Sequence, residues 1–315
     1  MSPIARNHHY LPQTYLAAFT ETGTKDGHFF VRGVFNGKSF KTSPKNVAVE
    51  RDFNRIDDDD EPLDTIECEL ATFEGIAAQS IKKIIKIQEF PSAEDFTNII
   101  NLLCLLAVRN PKHRRSINDF RAETKQWELE SLVSDEWIFE NTMKKAKEAG
   151  YLKECDVSFL GMKSFIEERR YSIEFTSEGN MEIEFDIIDT LLPLLGRRLW
   201  SVTIAPPSGP IFICSDDPVT LTGKDFEPGM PIGFGMTKTE VFLPLSPQIG
   251  FYGVYENPGP PVMYLSPEDV AKRNFYVASN ADRHIFSPAE EFMIFYKGKI
   301  QPISCGVASD HGPAR

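Results

Sequence analysis

Residues Pro91–Pro111, PSAEDFTNIINLLCLLAVRNP, decide how this chain is read. Pro91-Ser92 opens a helix, with Glu94 and Asp95 in the first turn, where carboxylates suit the helix dipole. The middle, NIINLLCLLAV, is apolar nearly all round, so the spacing predicts a buried central helix rather than a surface one. This is the longest apolar run in the chain, and it falls short of the roughly 20 residues that span a bilayer. Arg109 ends the helix just before Pro111. An unpaired buried charge is costly, so a buried Arg109 needs a partner, and a glutamate on a neighbouring helix would serve.

The flanking segments extend the helical pattern. Upstream, a helix from Leu63 to Gln88 carries LDTIECELATFEGIAAQSI. Glu67 and Glu74 lie two turns apart, share a face and flank the stripe of Ile66, Leu70 and Phe73. They can reach a semi-buried site, whereas Glu69 points elsewhere; as boundary residues they would simply pair with lysine or arginine. The preceding run RIDDDDEPLD reads as a solvated loop rather than a metal site. Downstream, Lys112 to Ala149 is a charged, amphipathic helical region, and Asp156 to Glu168 is helical too. Near the start, Gln13 to Phe19 is a short helix. HFFVRGVF and KSFKT are strands joined by Asn36-Gly37, a strong hairpin signal.

After Tyr171 the texture changes. YSIEF, MEIEFDI, LWSVTIA, IFICS, VFLPLS, IGFYGVY and EFMIFYKG read as strands, interrupted by one helix from Pro267 to Ser279. Most of the 22 prolines fall in this half, in turns such as PPSGP and EPGMPIG. The class is therefore α+β: a helical N-terminal half with a short hairpin, packed on a β-rich C-terminal half. One domain is expected over 1–315, with a mainly helical subregion at 1–170, a β-rich subregion at 171–305 and a flexible tail at 306–315.

The net charge of −12 weighs against a surface that binds phosphate backbones everywhere, and leaves room only for a local basic cleft. Arg6, Lys41, Lys45, Lys112, Arg114 and Arg115 would supply it, with PKHRR just beyond Arg109 the most basic stretch. Five widely spaced cysteines with no CxxC pair fit a reduced, cytoplasmic protein. Cys104 and Cys214 sit in apolar runs and read as buried thiols. MSPIARNHHY lacks the apolar core of a signal peptide.

Two further stretches draw attention to a site. NHHYLPQTYLAAFT, from Asn7 to Thr20, spends two of only six histidines side by side. Adjacent residues must point differently, so one histidine faces a cleft and the other anchors the segment. SDDPV places Asp216 at the end of an apolar strand, where catalytic groups and ordinary turn formers both occur. No glycine-rich phosphate loop and no GxSxG elbow is present.

HHYLPQTYLAAF, SPKNVAVERDF, IECELATFEG, LAVRNP, SDDPV and LPLSP, in that order, resemble the family catalogued as domain of unknown function 4238, found mainly in bacteria. The resemblance implies a shared polar framework of His8, His9, Pro12, Asn46, Glu67, Glu74, Arg109, Asp216 and Ser246, with Asn274 and Arg283. Asp217 stands where the family often has asparagine. The family carries no established activity. HHYLP is also similar to the start of the HNH nucleases. That pattern requires a further histidine on a following helix, and none occurs between His28 and His113.

If these groups meet, His8, His9, Glu67, Glu74, Arg109 and Asp216 form a catalytic set, with Lys45, Asn46, Arg114 and Arg115 as substrate contacts. Such groups suit acid–base chemistry on a phosphodiester, His9 and Glu74 serving as acid and base and Arg109 meeting the developing charge. With a divalent metal, Zn, Mn or Mg, the histidines and carboxylates would instead be ligands. The expected activity is a nuclease-like hydrolase acting on RNA or DNA. The alternative is a non-catalytic module that binds a protein or small ligand, its polar cluster closed by Glu–Arg bridges. No membrane partner is expected.

Overall fold

The computed structural model describes residues 6–56, 65–152, 157–223, 226 and 230–303. The four-aspartate run, Cys155, Cys305 and the 306–315 tail lie outside the described residues. The chain opens with β1 (Asn7–His9), α1 (Gln13–Leu16), the hairpin β2 (Phe29–Gly33) and β3 (Ser39–Thr42), and β4 (Val49–Arg51). Six helices follow: α2 (Thr65–Ile87), α3 (Ala93–Val108), α4 (Pro111–Leu132), α5 (Glu136–Glu148), α6 (Phe159–Glu167) and α7 (Ser177–Gly196). The remainder is β5 (Leu199–Ile204), β6 (Cys214–Ser215), β7 (Thr220–Gly223), β8 (Thr239–Pro244), β9 (Ile249–Val254) and β10 (Val262–Tyr264). Then come α8 (Pro267–Asn280), β11 (His284–Ser287), β12 (Met293–Tyr296) and β13 (Lys299–Pro302). The fold is α+β, as the sequence implied.

The all-round apolar character of α3 is explained by what surrounds it. Ile99, Leu102, Leu103 and Leu106 are buried in one cluster with Ile81 and Ile84 of α2, Leu191 and Leu195 of α7, and Val202 and Phe251 of the sheet. Each such side chain contributes about 1.5–3 kcal/mol through removal from water. Ser92 caps α3 by accepting from the Asp95 N–H, and the Asp95 carboxylate in turn accepts from Ser92, Ser80 and Lys83, which fastens α3 to α2.

A five-stranded sheet runs in the order β10-β5-β9-β8-β7, antiparallel except for the β10–β5 pair. Trp200 of β5 stacks on Phe251 of β9, centroids 4.6 Å apart, and lies across Gly253, where a Cβ would meet its ring at 2.8 Å. A second sheet runs β3-β2-β11-β6. The N-terminal hairpin is thus not an appendage of the helical part: β2 pairs with β11, some 250 positions later.

Three strand expectations are corrected. MEIEFDI lies within α7, and its inward positions Met181, Glu184, Leu191 and Leu195 follow the helical period. The alternation of MEIEF misleads because one inward position is a glutamate. YSIEF forms no regular element, and only Cys214–Ser215 of IFICS pairs as a strand. The charged region from Lys112 is broken at Val133–Asp135, where Asp135 caps α5.

Candidate functional site

The site is built where β1 meets the ends of α2 and α3. β1 pairs antiparallel with β4, placing His8 opposite Glu50 and His9 opposite Val49. Two non-glycine residues in the left-handed region, Ala48 (φ 53°) and Asp52 (φ 56°), flank β4. That conformation costs about 1–2 kcal/mol per residue, and the turn it makes carries Asn54 beneath β1. Strand alternation then separates the two histidines: His8 is buried, while His9 is half-buried on the opposite side.

Asn54 is the hub. It is fully buried, and its N–H donates to His8 Nδ1 at 2.8 Å. Its side-chain Nδ2 donates to Glu67 Oε2 at 2.7 Å, and its Oδ1 accepts from Arg109 Nη2 at 2.8 Å. Arg109 is buried at the C-terminal end of α3. Burial lowers its pKa, and the carboxylates of Glu184, Glu74 and Glu67 oppose that shift. Among the described residues no carboxylate makes a salt bridge with it; the expected Glu–Arg bridge is replaced by an amide relay.

Two groups around this hub hold altered proton affinities. Burial raises the Glu74 carboxyl to about 7, with the neighbouring Glu67 charge adding to the shift and Arg109 opposing it. Burial lowers the His9 imidazole, opposed by the Lys45 main chain and Glu67. His9 Nε2 is buried without a hydrogen-bond partner among the described residues, while Nδ1 lies 3.4 Å from Gln13 Nε2. Lys25, on the exposed turn before β2, lies close enough for its charge to act on both His9 and Glu74.

The other expected residues are placed elsewhere. The Asp216 carboxylate is buried and accepts from the consecutive N–H groups of Asp282, Arg283 and His284, at 2.9, 2.7 and 2.9 Å. Burial raises it to about 6, against these donors. It latches β6 to the turn between α8 and β11 and makes no side-chain contact with the histidine–glutamate group. Asn110 links the two regions by donating to the Asp216 carbonyl at 2.6 Å, and Arg283 of the same turn pairs with Glu50 of β4 at 3.4 Å.

The expected basic cleft is spent on local partners. Arg114 makes a bidentate pair with Glu184 at 2.7 and 2.8 Å, donates to the Phe53 carbonyl, and lies 3.5 Å over the Phe53 ring. Arg115 pairs with Asp282, Lys112 with Asp217, Arg6 with Asp52 and Lys41 with Glu21. Lys45 and Asn46 are exposed, and Asn46 donates to Thr42 Oγ1 within its own turn. Among the described residues no group of three or more histidine, cysteine, aspartate or glutamate side chains is arranged to hold a metal ion, so the metal-ligand version finds no donor set. Cys104 and Cys214 are buried, their thiols pushed up to about 12 and hence unreactive. No helix among the described residues is long and apolar enough to cross a membrane.

Asn54 and Lys25 are the residues that motif reading passed over. The motif SPKNVAVERDF stops one position short of Asn54, and an asparagine in a short turn carries no periodicity that marks it as buried. Among known proteins, the family described as "Protein of unknown function (DUF4238)" matches the chain over residues 7–291. No curated protein and no solved structure matches it.

Proposed function

We propose that this chain, which belongs to the DUF4238 family, is a hydrolase that cleaves phosphodiester bonds by general acid–base catalysis. The observation that carries the reading is the Glu74 carboxyl, raised to about 7 beside the buried guanidinium of Arg109. Acid and base groups work best with a pKa near the working pH. At neutral pH the lowered pKa of His9 leaves its imidazole unprotonated and able to take a proton from the attacking water. Glu74 retains its proton on about half of the molecules at pH 7 and donates it to the leaving oxygen. Arg109 stabilises the charge that develops between them, and Asn54 holds Arg109, Glu67 and His8 in register. Asp216 is a positioning residue in this scheme, acting through the Asn110 contact.

The test is turnover of bis-para-nitrophenyl phosphate, then of single-stranded RNA and DNA, each with and without a chelator. The expected kcat/KM profile is a narrow bell: an acidic limb below the ordinary histidine value from His9, and a limb near 7 from Glu74. Glu74→Gln lowers the rate about 10²–10⁴-fold and removes the alkaline limb. Absence of turnover on all three substrates, or a wild-type rate in Glu74→Gln, refutes the reading. A second reading is favoured by one observation: five of the six cations expected to line the cleft already have acidic partners. In that case Arg109 binds a small anion without turnover. Such a protein would melt higher with phosphate present and show no hydrolysis.

A further inference from the structure

The helices α4, α5 and α6 enclose a small core of their own, built on Val133, Phe139 and Ile166. They nevertheless leave large aromatic side chains in solvent: Phe120 is 70% exposed, Trp127 68% and Trp137 72%. Phe120 and Trp127 are seven residues apart on α4 and so share one stripe of it. Trp127 also borders an open, mainly apolar groove of about 800 Å³, lined further by Leu129, Leu132, Ile138 and Ile173. Exposed aromatic side chains beside an open apolar groove mark an interaction site. Tryptophan is the residue most often found at the energetic centre of such contacts.

Charge identifies the occupant. Residues 111–171 carry twelve basic and twelve acidic side chains, so the net charge of −12 resides entirely on the rest of the chain. A strongly acidic or basic partner would be favoured by a net charge of the opposite sign, and this segment carries none. A second copy of the chain would be repelled by the acidic body, but meets no net repulsion at α4–α6. The same segment also offers both halves of a fit, exposed aromatic knobs and an apolar groove, as a two-fold contact requires when one surface must complement itself. An aromatic side chain buries about 150–250 Å². Three per copy therefore supply the centre of a face of the roughly 800 Å² per partner that a stable complex uses.

We infer that the α4–α6 face joins two copies of this chain in a symmetric dimer. This assignment is independent of the hydrolase reading. The experiment is light scattering on the eluting full-length chain across a concentration series up to about 0.1 mM, within the range that reports micromolar association. The expected mass is twice 35.6 kDa. The double variant Phe120→Ser/Trp127→Ser, and separately Trp137→Ser, are expected to elute as monomers with unchanged circular dichroism, and to melt with the wild type once both are diluted below its dissociation range, since none of these side chains is in a core. Tryptophan emission of the wild type is expected to shift to longer wavelength on dilution through the dissociation range. A wild type of 35.6 kDa throughout overturns the inference, as do variants that retain the doubled mass.

Discussion

A carboxyl group with a raised pKa carries an energetic signature that separates a site from scaffolding. Glu74 binds its proton at about 7 in the folded chain and near 4.5 when unfolded. Its contribution is therefore fully favourable below about 4.5 and is lost as pH rises through 7. Glu74→Gln removes that penalty, so the variant is expected to be more stable than wild type by about 1–3 kcal/mol at pH 7, with the advantage vanishing near pH 4. Urea unfolding at both pH values measures this; an equal or lower stability of the variant at pH 7 contradicts the assigned proton affinity. Asn54 predicts the opposite sign. It satisfies three partners at once, and Asn54→Ala leaves Arg109 and Glu67 without its side-chain amide while the main-chain N–H to His8 remains. The substitution is expected to cost about 2–4 kcal/mol, because a buried charge loses its hydrogen bond. A loss below about 0.5 kcal/mol, the range of ordinary surface changes, would show that the relay is not what holds the site. Arg109, Glu67 and Glu74 were all visible in the sequence as polar groups on or beside apolar stripes. Asn54 was not, because its importance lies in three contacts made across the fold.

At the scale of elements, α7 shows how a buried ion pair hides a helix. Glu184 occupies an inward position that a regular amphipathic pattern would fill with leucine, and it is tolerated there because Arg114 meets it with two parallel hydrogen bonds. Removing one partner leaves the other charge buried: Arg114→Ala is expected to cost about 3–5 kcal/mol. The double variant Arg114→Met/Glu184→Leu, which replaces the pair with apolar side chains of similar length, is expected to recover most of that loss. Chemical denaturation of both proteins checks this, and a double variant no more stable than the single one would mean that the pair contributes beyond mutual neutralisation. The same pairing explains why PKHRR, basic in sequence, is not a free cationic surface. Its cations answer carboxylates on α7, in the turn after β6 and before β11, and those partners lie 70 to 167 residues away.

At the scale of the molecule, the two textures of the chain are interleaved rather than juxtaposed. β2 lies between β3 and β11, and α3 contributes to the cluster that also buries the five-stranded sheet. A fragment beginning at residue 171 would expose both the β11 edge and the sheet face that α3 covers. Such a fragment is expected to show no cooperative thermal transition; a sharp one would establish the C-terminal part as an independent folding unit. By itself the sequence determined the α+β class, the buried central helix, the hairpin turn, the two inert thiols and most of the polar residues around Arg109. These are local matters, written in periodicity, turn chemistry and apolar content. Only the tertiary structure decided that His8, Glu67 and Arg109 gather around Asn54 while Asp216 latches a separate turn, and that the basic run is neutralised in place. Those outcomes depend on which distant side chain desolvates or pairs with which, and a linear pattern holds no record of such contacts.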